Sequence, residues 1–199
     1  MLISCGVSSL VIDTLCRHAI GENIAVACFY FDFTVREEQS PAAILGSVLK
    51  QVVARLDHIP EEISKAFHDR GKVIGGQRLP LAEIVELLQF ISSLQCTFIC
   101  IDALDECPAK HRVKLLDSLC QILQKSPGTR VFLTGRPYIQ DEVGKYLAWG
   151  VATRSITPVR NDIILFLRAK LNEDTMPNAM GESLKKEIFK DVPEVVSEM

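Results

Sequence analysis

Three carboxylates, Asp102, Asp105 and Glu106, stand directly behind the apolar run Thr97-Phe98-Ile99-Cys100-Ile101. A short apolar run bounded by polar residues suits a strand buried on both faces of a parallel sheet. The acids then fall at the carboxyl end of that strand, where open α/β sheets bind their ligands. A carboxylate there can hold Mg²⁺ directly or through water, and a second can orient a water for attack on a phosphate. Asp102 is expected to be the metal-side acid, with Asp105 and Glu106 as the pair that positions the water. The competing reading is a helix N-terminus, with Asp105 capping a helix that begins near Pro108 and Glu106 favoured by the helix dipole. Burying Asp102 without a partner is costly, which favours a functional role for that residue.

The surrounding elements must hold these side chains. Thr129-Arg130-Val131-Phe132-Leu133-Thr134-Gly135-Arg136-Pro137 is a second β-rich run ending in a polar residue and an arginine. An arginine at a strand tip can face a terminal phosphate and neutralise its charge, or pair with Asp102 or Asp105. Ile24-Ala25-Val26-Ala27-Cys28-Phe29-Tyr30-Phe31-Asp32-Phe33 is a third strand candidate that ends near an acid. Three strands separated by helical segments imply βαβ crossovers and a parallel sheet. Residues 97–101 and 130–133 are expected to be neighbouring or near-neighbouring parallel strands, with Asp102 and Thr134 at one edge of the sheet.

Taken in order, Ser8-Ser9-Leu10-Val11-Ile12-Asp13, Phe29-Tyr30-Phe31-Asp32-Phe33, Ile101-Asp102-Ala103-Leu104-Asp105-Glu106-Cys107 and Leu133-Thr134-Gly135-Arg136-Pro137 resemble NACHT-type NTPase domains. The likeness is to the nephrocystin-like N-terminal type found in fungal NLR-like proteins, often ahead of ankyrin or WD repeats. Pro158-Val159-Arg160-Asn161-Asp162-Ile163 is similar to that family as well. The resemblance implies a three-layer αβα sandwich with a mostly parallel sheet, P-loop NTPase-like and truncated at the C-terminus. It also implies a STAND-class signalling switch that binds ATP or GTP with Mg²⁺, with Asp102 in the Walker B position and Arg136 reading the γ-phosphate. Protein partners or self-association, and repeat domains in full-length relatives, follow from the same likeness.

One departure stands against these matches. A phosphate loop needs G-x-x-x-x-G-K-[ST], because backbone N–H groups wrap the phosphates, a lysine reaches the β/γ oxygens and a hydroxyl holds Mg²⁺. The chain opens Met1-Leu2-Ile3-Ser4-Cys5-Gly6-Val7-Ser8-Ser9-Leu10, with no Gly-Lys-Ser/Thr. Either the chain begins inside the helix that follows the loop, or Leu2 to Cys5 is the first strand and the loop is deleted after it. The second account is preferred here, since Leu2-Ile3-Ser4-Cys5-Gly6 resembles the family's strand and opening glycine. It makes Gly6 and Ser8 the remaining cofactor-binding candidates. Gly71-Lys72 is a decoy, because Val73 follows the lysine and Ala66 occupies the position of the upstream glycine. With the loop gone, the expected function is a remnant of the switch with impaired nucleotide binding and hydrolysis. The alternative is a non-catalytic interaction scaffold.

Composition agrees with a folded domain. The chain has 199 residues, 48% of them hydrophobic, and a mean hydropathy of +0.19, enough for a substantial core. A formal charge of −3 gives no basis for general nucleic-acid affinity. No apolar run approaches a membrane span, and the apolar start lacks a basic n-region. The 7 cysteines include no Cys-x-x-Cys pair, so buried free thiols in a reducing cytoplasm are the expectation rather than a zinc site. His18, His58, His68 and His111 lack metal spacing and are expected to be solvated.

Punctuation sets the remaining organisation. Helices are expected over 8–19, from Ser40-Pro41 onward with Ile44, Leu45, Val48, Leu49, Val52 and Leu56 on one face, and over 60–67, 81–94, 108–125 and 138–147. Residues 70–80 read as a loop and 152–156 as a last strand. Asn161-Asp162 is expected to cap a helix through Leu171. Residues 1–172 read as the NACHT-like core, and 173–199 as a linker and the start of a following helical region.

Overall fold

A computed structural model describes residues 2–35, 38–71, 79–147, 150–156, 159–172 and 180–197. By its contacts the chain forms two compact units, Met1–Val151 and Ala152–Met199.

The first unit is built on three parallel strands in the order β1 (Ile24–Tyr30), β2 (Cys96–Asp102), β3 (Thr129–Leu133). Val26 stands opposite Phe98, Ile99 opposite Val131 and Cys100 opposite Phe132. Because side chains alternate along a strand, the sheet presents two faces. Ala25, Ala27, Ile99, Ile101, Val131 and Leu133 point into the main core. There they meet Leu45, Leu49, Leu88, Leu115 and Leu119 from α2 (Pro41–Val53), α4 (Leu81–Leu94) and α5 (Ala109–Lys125). Val26, Cys28, Phe98, Cys100 and Phe132 form the opposite face, with Ile12, Leu15 and Cys16 of α1 (Leu2–His18) and Ala19 just after it packed against them. The result is a three-layer αβα sandwich. β2 is central and covered on both faces, as its unbroken apolar run requires. Each fully buried Leu or Ile contributes about 1.5–3 kcal/mol.

Local signals explain the helices. Ser40 caps α2 by accepting from the Ala43 amide at 3.3 Å, and Pro41 occupies the first turn. The helix stops at Val53, one turn short of Leu56. α3 (Glu61–Gly71) follows, and Ile63 is its buried anchor. The expected loop at 70–80 falls mostly on 72–78, outside the described residues. A short 3₁₀ turn, Pro137–Ile139, leads into α6 (Gln140–Tyr146).

Two expectations are corrected here. Residues Leu2 to Cys5 are not a strand: α1 runs unbroken from Leu2 to His18 and passes through Gly6. A short apolar run cannot be told from a helix by periodicity alone. A lone glycine inside a helix costs only about 1 kcal/mol, so it does not force a break. Residues 152–156 form no strand, and each is exposed. A run that short needs a neighbouring strand for its backbone groups, and none pairs with it among the described residues.

The second unit contains α7 (Arg160–Asn172) and α8 (Glu182–Ser197), which contact each other. α7 starts one residue before Asn161, so Asn161 and Asp162 lie in its first turn instead of capping it; the Asp162 amide donates to the Val159 carbonyl at 2.8 Å. Contacts group α7 with α8.

Candidate functional site

The tips of β2 and β3 are stitched together at the carboxyl edge of the sheet. The Thr134 amide donates to the Ile101 carbonyl at 3.0 Å, and the Leu104 amide donates to the Thr134 carbonyl at 2.9 Å. The Thr134 hydroxyl donates to Asp102 Oδ1 and accepts from the Ala103 amide at 3.0 Å. Asp102 is only 6% exposed, so this hydroxyl supplies the partner that a buried carboxylate needs. Asp102 and Thr134 thus share one edge, as their position behind two apolar runs implied.

Ala103 turns the chain sharply. Its φ of 56° is left-handed, the one such non-glycine residue among those described. That conformation costs an L-residue roughly 1–2 kcal/mol. It carries the backbone from β2 into the 3₁₀ turn Leu104–Glu106, which presents Asp105 and Glu106 beside Asp102. Leu104 is fully buried and pins the turn to the main core.

Asp105 does not cap α5. Pro108 takes the cap position and no side chain bonds there. Asp105 instead reaches across to the segment after β3. Its Oδ1 accepts from the Arg136 amide at 3.2 Å, and its Oδ2 lies 3.4 Å from Arg136 Nε. The Tyr138 hydroxyl donates to the Asp105 carbonyl at 3.3 Å. Gly135 lies in this approach, where a Cβ would stand 2.6 Å from the end of the flexible Ile139 side chain and at ordinary contact distance, 3.5 Å, from the Asp105 amide. The Arg136 side chain remains 64% exposed, so the pair is partly solvated and its guanidinium can turn to an incoming anion.

Burial holds the Glu106 carboxyl above its ordinary pKa, and the Asp105 charge adds to that shift. Arg136 opposes it, while Asp102 and Asp32 reinforce it. Asp32 follows β1 and is itself tied down, with Oδ1 accepting from the Thr34 hydroxyl at 2.6 Å and its amide at 2.8 Å. Those bonds lower the Asp32 pKa. A raised carboxyl pKa stabilises the folded state below the unfolded value, and that contribution is lost as pH rises through the folded value. Glu106→Gln is therefore expected to raise the melting temperature relative to the native chain at pH 7 and to leave it unchanged near pH 4 (about the ordinary Glu pKa). Thermal melts of both proteins across that interval measure the difference.

Gly6 and Ser8 do not have the placement expected of them. Gly6 is interior to α1 and opens no loop, and Ser8 is 0% exposed. α1 packs on β1 and returns into it through a short turn, so it runs antiparallel to the strands. Its N-terminal end therefore points toward the edge that carries Asp102.

The donors at this edge are hard oxygens, which suit Mg²⁺. Among the described residues no three His, Cys, Asp or Glu side chains converge on a common metal position. His111 departs from expectation, because its Nδ1 is buried without a hydrogen-bond partner among the described residues. A shallow cleft of about 380 Å³ at the opposite, amino edge is lined by Asn23, Ser92, Gln95 and Gly128, far from the acids.

The fold and this edge define a class: an αβα domain whose central parallel strand ends in a buried aspartate, with an arginine-paired acid beside it. The Nephrocystin 3, N-terminal family model matches residues 5–136, and the chain belongs to that family. The matched span begins inside α1 and ends on Arg136. No curated protein and no solved structure matches the chain.

Proposed function

We propose that this chain carries the acidic half of a nucleotide-dependent signalling switch of the NACHT/STAND type. The observation that carries the reading is Asp102, buried at the tip of the central strand and held in place by the Thr134 hydroxyl. The ligand would be ATP or GTP with Mg²⁺. Asp102 would hold the cation's water shell, Asp105 and Glu106 would orient a water, and Arg136 would meet the terminal phosphate. Bound Mg²⁺ would neutralise phosphate charge at this edge. The 199 residues contain no G-x-x-x-x-G-K-[ST], so the backbone cradle and lysine that give most phosphate affinity are missing from them. A cytoplasmic location is part of this reading, supported by free thiols. No helix of the described residues is long and apolar enough to cross a membrane.

Calorimetric titration separates the possibilities. The chain alone is expected to bind Mg²⁺-ATP far more weakly than micromolar. A chimera with a β-strand and a phosphate loop of about eight residues joined ahead of Leu2 is expected to bind with a Kd on the order of micromolar. Insertion between Gly6 and Val7 would instead break α1. In the chimera, Asp102→Asn should weaken Mg²⁺-nucleotide binding at least roughly tenfold, by removing the charge that holds the metal shell. Glu106→Gln should spare binding and slow turnover. Equal binding by the Asp102→Asn chimera would make Asp102 a structural residue. Failure of the chimera to bind at all would favour the scaffold reading, which the absent lysine supports.

A further inference from the structure

We propose that Cys28 of β1 and Cys100 of β2 are a redox-modification site, which a low-molecular-weight disulfide such as oxidised glutathione converts reversibly into a cross-strand disulfide. This goes beyond the nucleotide-switch reading and does not depend on it.

The register of the sheet sets the two cysteines side by side. Cys28 is the Cα partner of Cys100 in the parallel β1–β2 pair. Partners in register point their side chains to the same face, and both cysteines lie on the face that α1 covers. Neighbouring strands run about 4.8 Å apart, within the roughly 4.4–6.8 Å between Cα atoms that a disulfide accepts. Both thiols are free in the structure. Cys16 of α1 packs in the same cluster. Burial pushes the Cys100 thiol up to about 12, and the charges of Cys28 and Cys16 add to that rise. The three thiols therefore stand within electrostatic reach of one another. The other cysteines of the sheet and its core lack such a neighbour. Cys96 faces Ile24 in the register and its Sγ lies 3.2 Å from the Gly128 carbonyl, while Cys107 is buried in the main core.

Cys28 is the thiol that an oxidant meets first, being half-buried where Cys100 is buried. Its backbone is held from outside. The Gln51 carboxamide of α2 lies along β1, where its Oε1 accepts from the Cys28 amide at 3.0 Å and its Nε2 donates to the Cys28 carbonyl at 2.8 Å. That side chain imitates a neighbouring strand and closes this edge of the sheet. The Cys28 thiol rests 3.7 Å from Gln51 Oε1, a weak sulfur contact. Turning about the single side-chain torsion of Cys28 exchanges that contact for Cys100 without moving the backbone.

The chemistry is two thiol–disulfide exchanges. The Cys28 thiolate attacks one sulfur of oxidised glutathione, and the first glutathione leaves as its thiolate. Cys100 then gives up its proton, attacks the Cys28 sulfur and expels the second glutathione. Two protein thiols are oxidised to one disulfide, and one glutathione disulfide is reduced to two thiols. The high pKa of Cys100 slows the second exchange, and its fixed place beside Cys28 offsets that by making the step intramolecular. Side chains leaving adjacent strands in parallel start about 4.8 Å apart, wider than the roughly 3.8 Å between Cβ atoms of a relaxed bridge. The bond is therefore strained and easily reduced, which is the property of regulatory disulfides. Cys100 precedes Asp102 by two residues, so the same bond draws β1 and β2 together directly below the acidic edge.

Mass spectrometry of the full, folded chain after oxidised glutathione and alkylation tests this. The native chain is expected to lose two hydrogens, to map a link between residues 28 and 100, and to regain both thiols with dithiothreitol. Cys100→Ala should stop at the first exchange and keep a glutathione adduct on Cys28. Cys16→Ser should form the 28–100 link as fully as the native chain. The map of the native chain decides the matter even if a variant does not fold. A native chain that keeps both thiols, or that holds a lasting adduct on Cys28 with no internal link, overturns the proposal. So does a map in which Cys28 is joined to Cys16, or a link that Cys16→Ser abolishes.

Discussion

Thr134→Val is expected to destabilise the domain by about 3 kcal/mol, although valine nearly matches threonine in shape. The substitution removes two hydrogen bonds at once. Asp102 loses its hydroxyl donor while remaining buried, and the Ala103 amide loses its acceptor. Each buried group left unsatisfied costs about 1–3 kcal/mol, and a charged one falls at the upper end. Ala103 aggravates the loss, because its left-handed backbone persists only while the surroundings hold it. Thr134→Ser keeps the hydroxyl and should recover all but about 1 kcal/mol, the worth of a buried methyl group. Denaturant titration of the three proteins measures this. A valine variant as stable as the native chain would mean that Asp102 finds its partner elsewhere.

Glu142→Ala is expected to cost about 3 kcal/mol as well, for a different reason. Arg112 of α5 is 9% exposed, and its Nε lies 2.8 Å from Glu142 Oε2 of α6. Its Nη1 donates to the Cys107 carbonyl at 2.8 Å. Removing the glutamate leaves a buried guanidinium with one neutral acceptor. Breaking a buried pair from one side costs about 3–5 kcal/mol, and the partial exposure of Glu142 places this case at the lower end. Replacing both residues, Arg112→Met with Glu142→Leu, should lose no more than about 1 kcal/mol, since a buried pair swapped for apolar packing is often neutral. Chemical denaturation of the single and double variants gives the cycle. The pair matters to the site because α5 and α6 flank the segment that carries Arg136 and Tyr138.

Much of this architecture was legible because it rests on local signals of long reach. Apolar runs at 24–30 and 97–101 had to be buried strands, and the Ser40-Pro41 and Leu81 helices were announced by a cap and a continuous stripe. The acids behind residue 101 and the arginine behind residue 133 were legible as strand tips. Thr134 appeared only as a polar tip, since nothing in a linear string says that its hydroxyl reaches Asp102. Leu2 to Cys5 misled because a short, mostly apolar run suits either strand or helix. Residues 152–156 misled for the converse reason, since an extended segment becomes a strand only when a neighbour pairs with it.

The sequence by itself determined the three central strands and the helices between them, the family resemblance with the αβα class it implies, and the lack of a Gly-Lys-Ser/Thr loop in these 199 residues. These follow from composition, periodicity and short motifs, which are properties of neighbouring residues. Only the tertiary structure decided that Asp105 bonds to Arg136 instead of capping a helix, that Gly6 and Ser8 lie within α1, that Arg112 is buried against Glu142, and that Gln51 closes one edge of the sheet. Each depends on groups some 23 to 31 residues apart in sequence or on the burial of a face. Such relations are fixed when strands pair and helices pack, because burial then decides which polar group must find which partner.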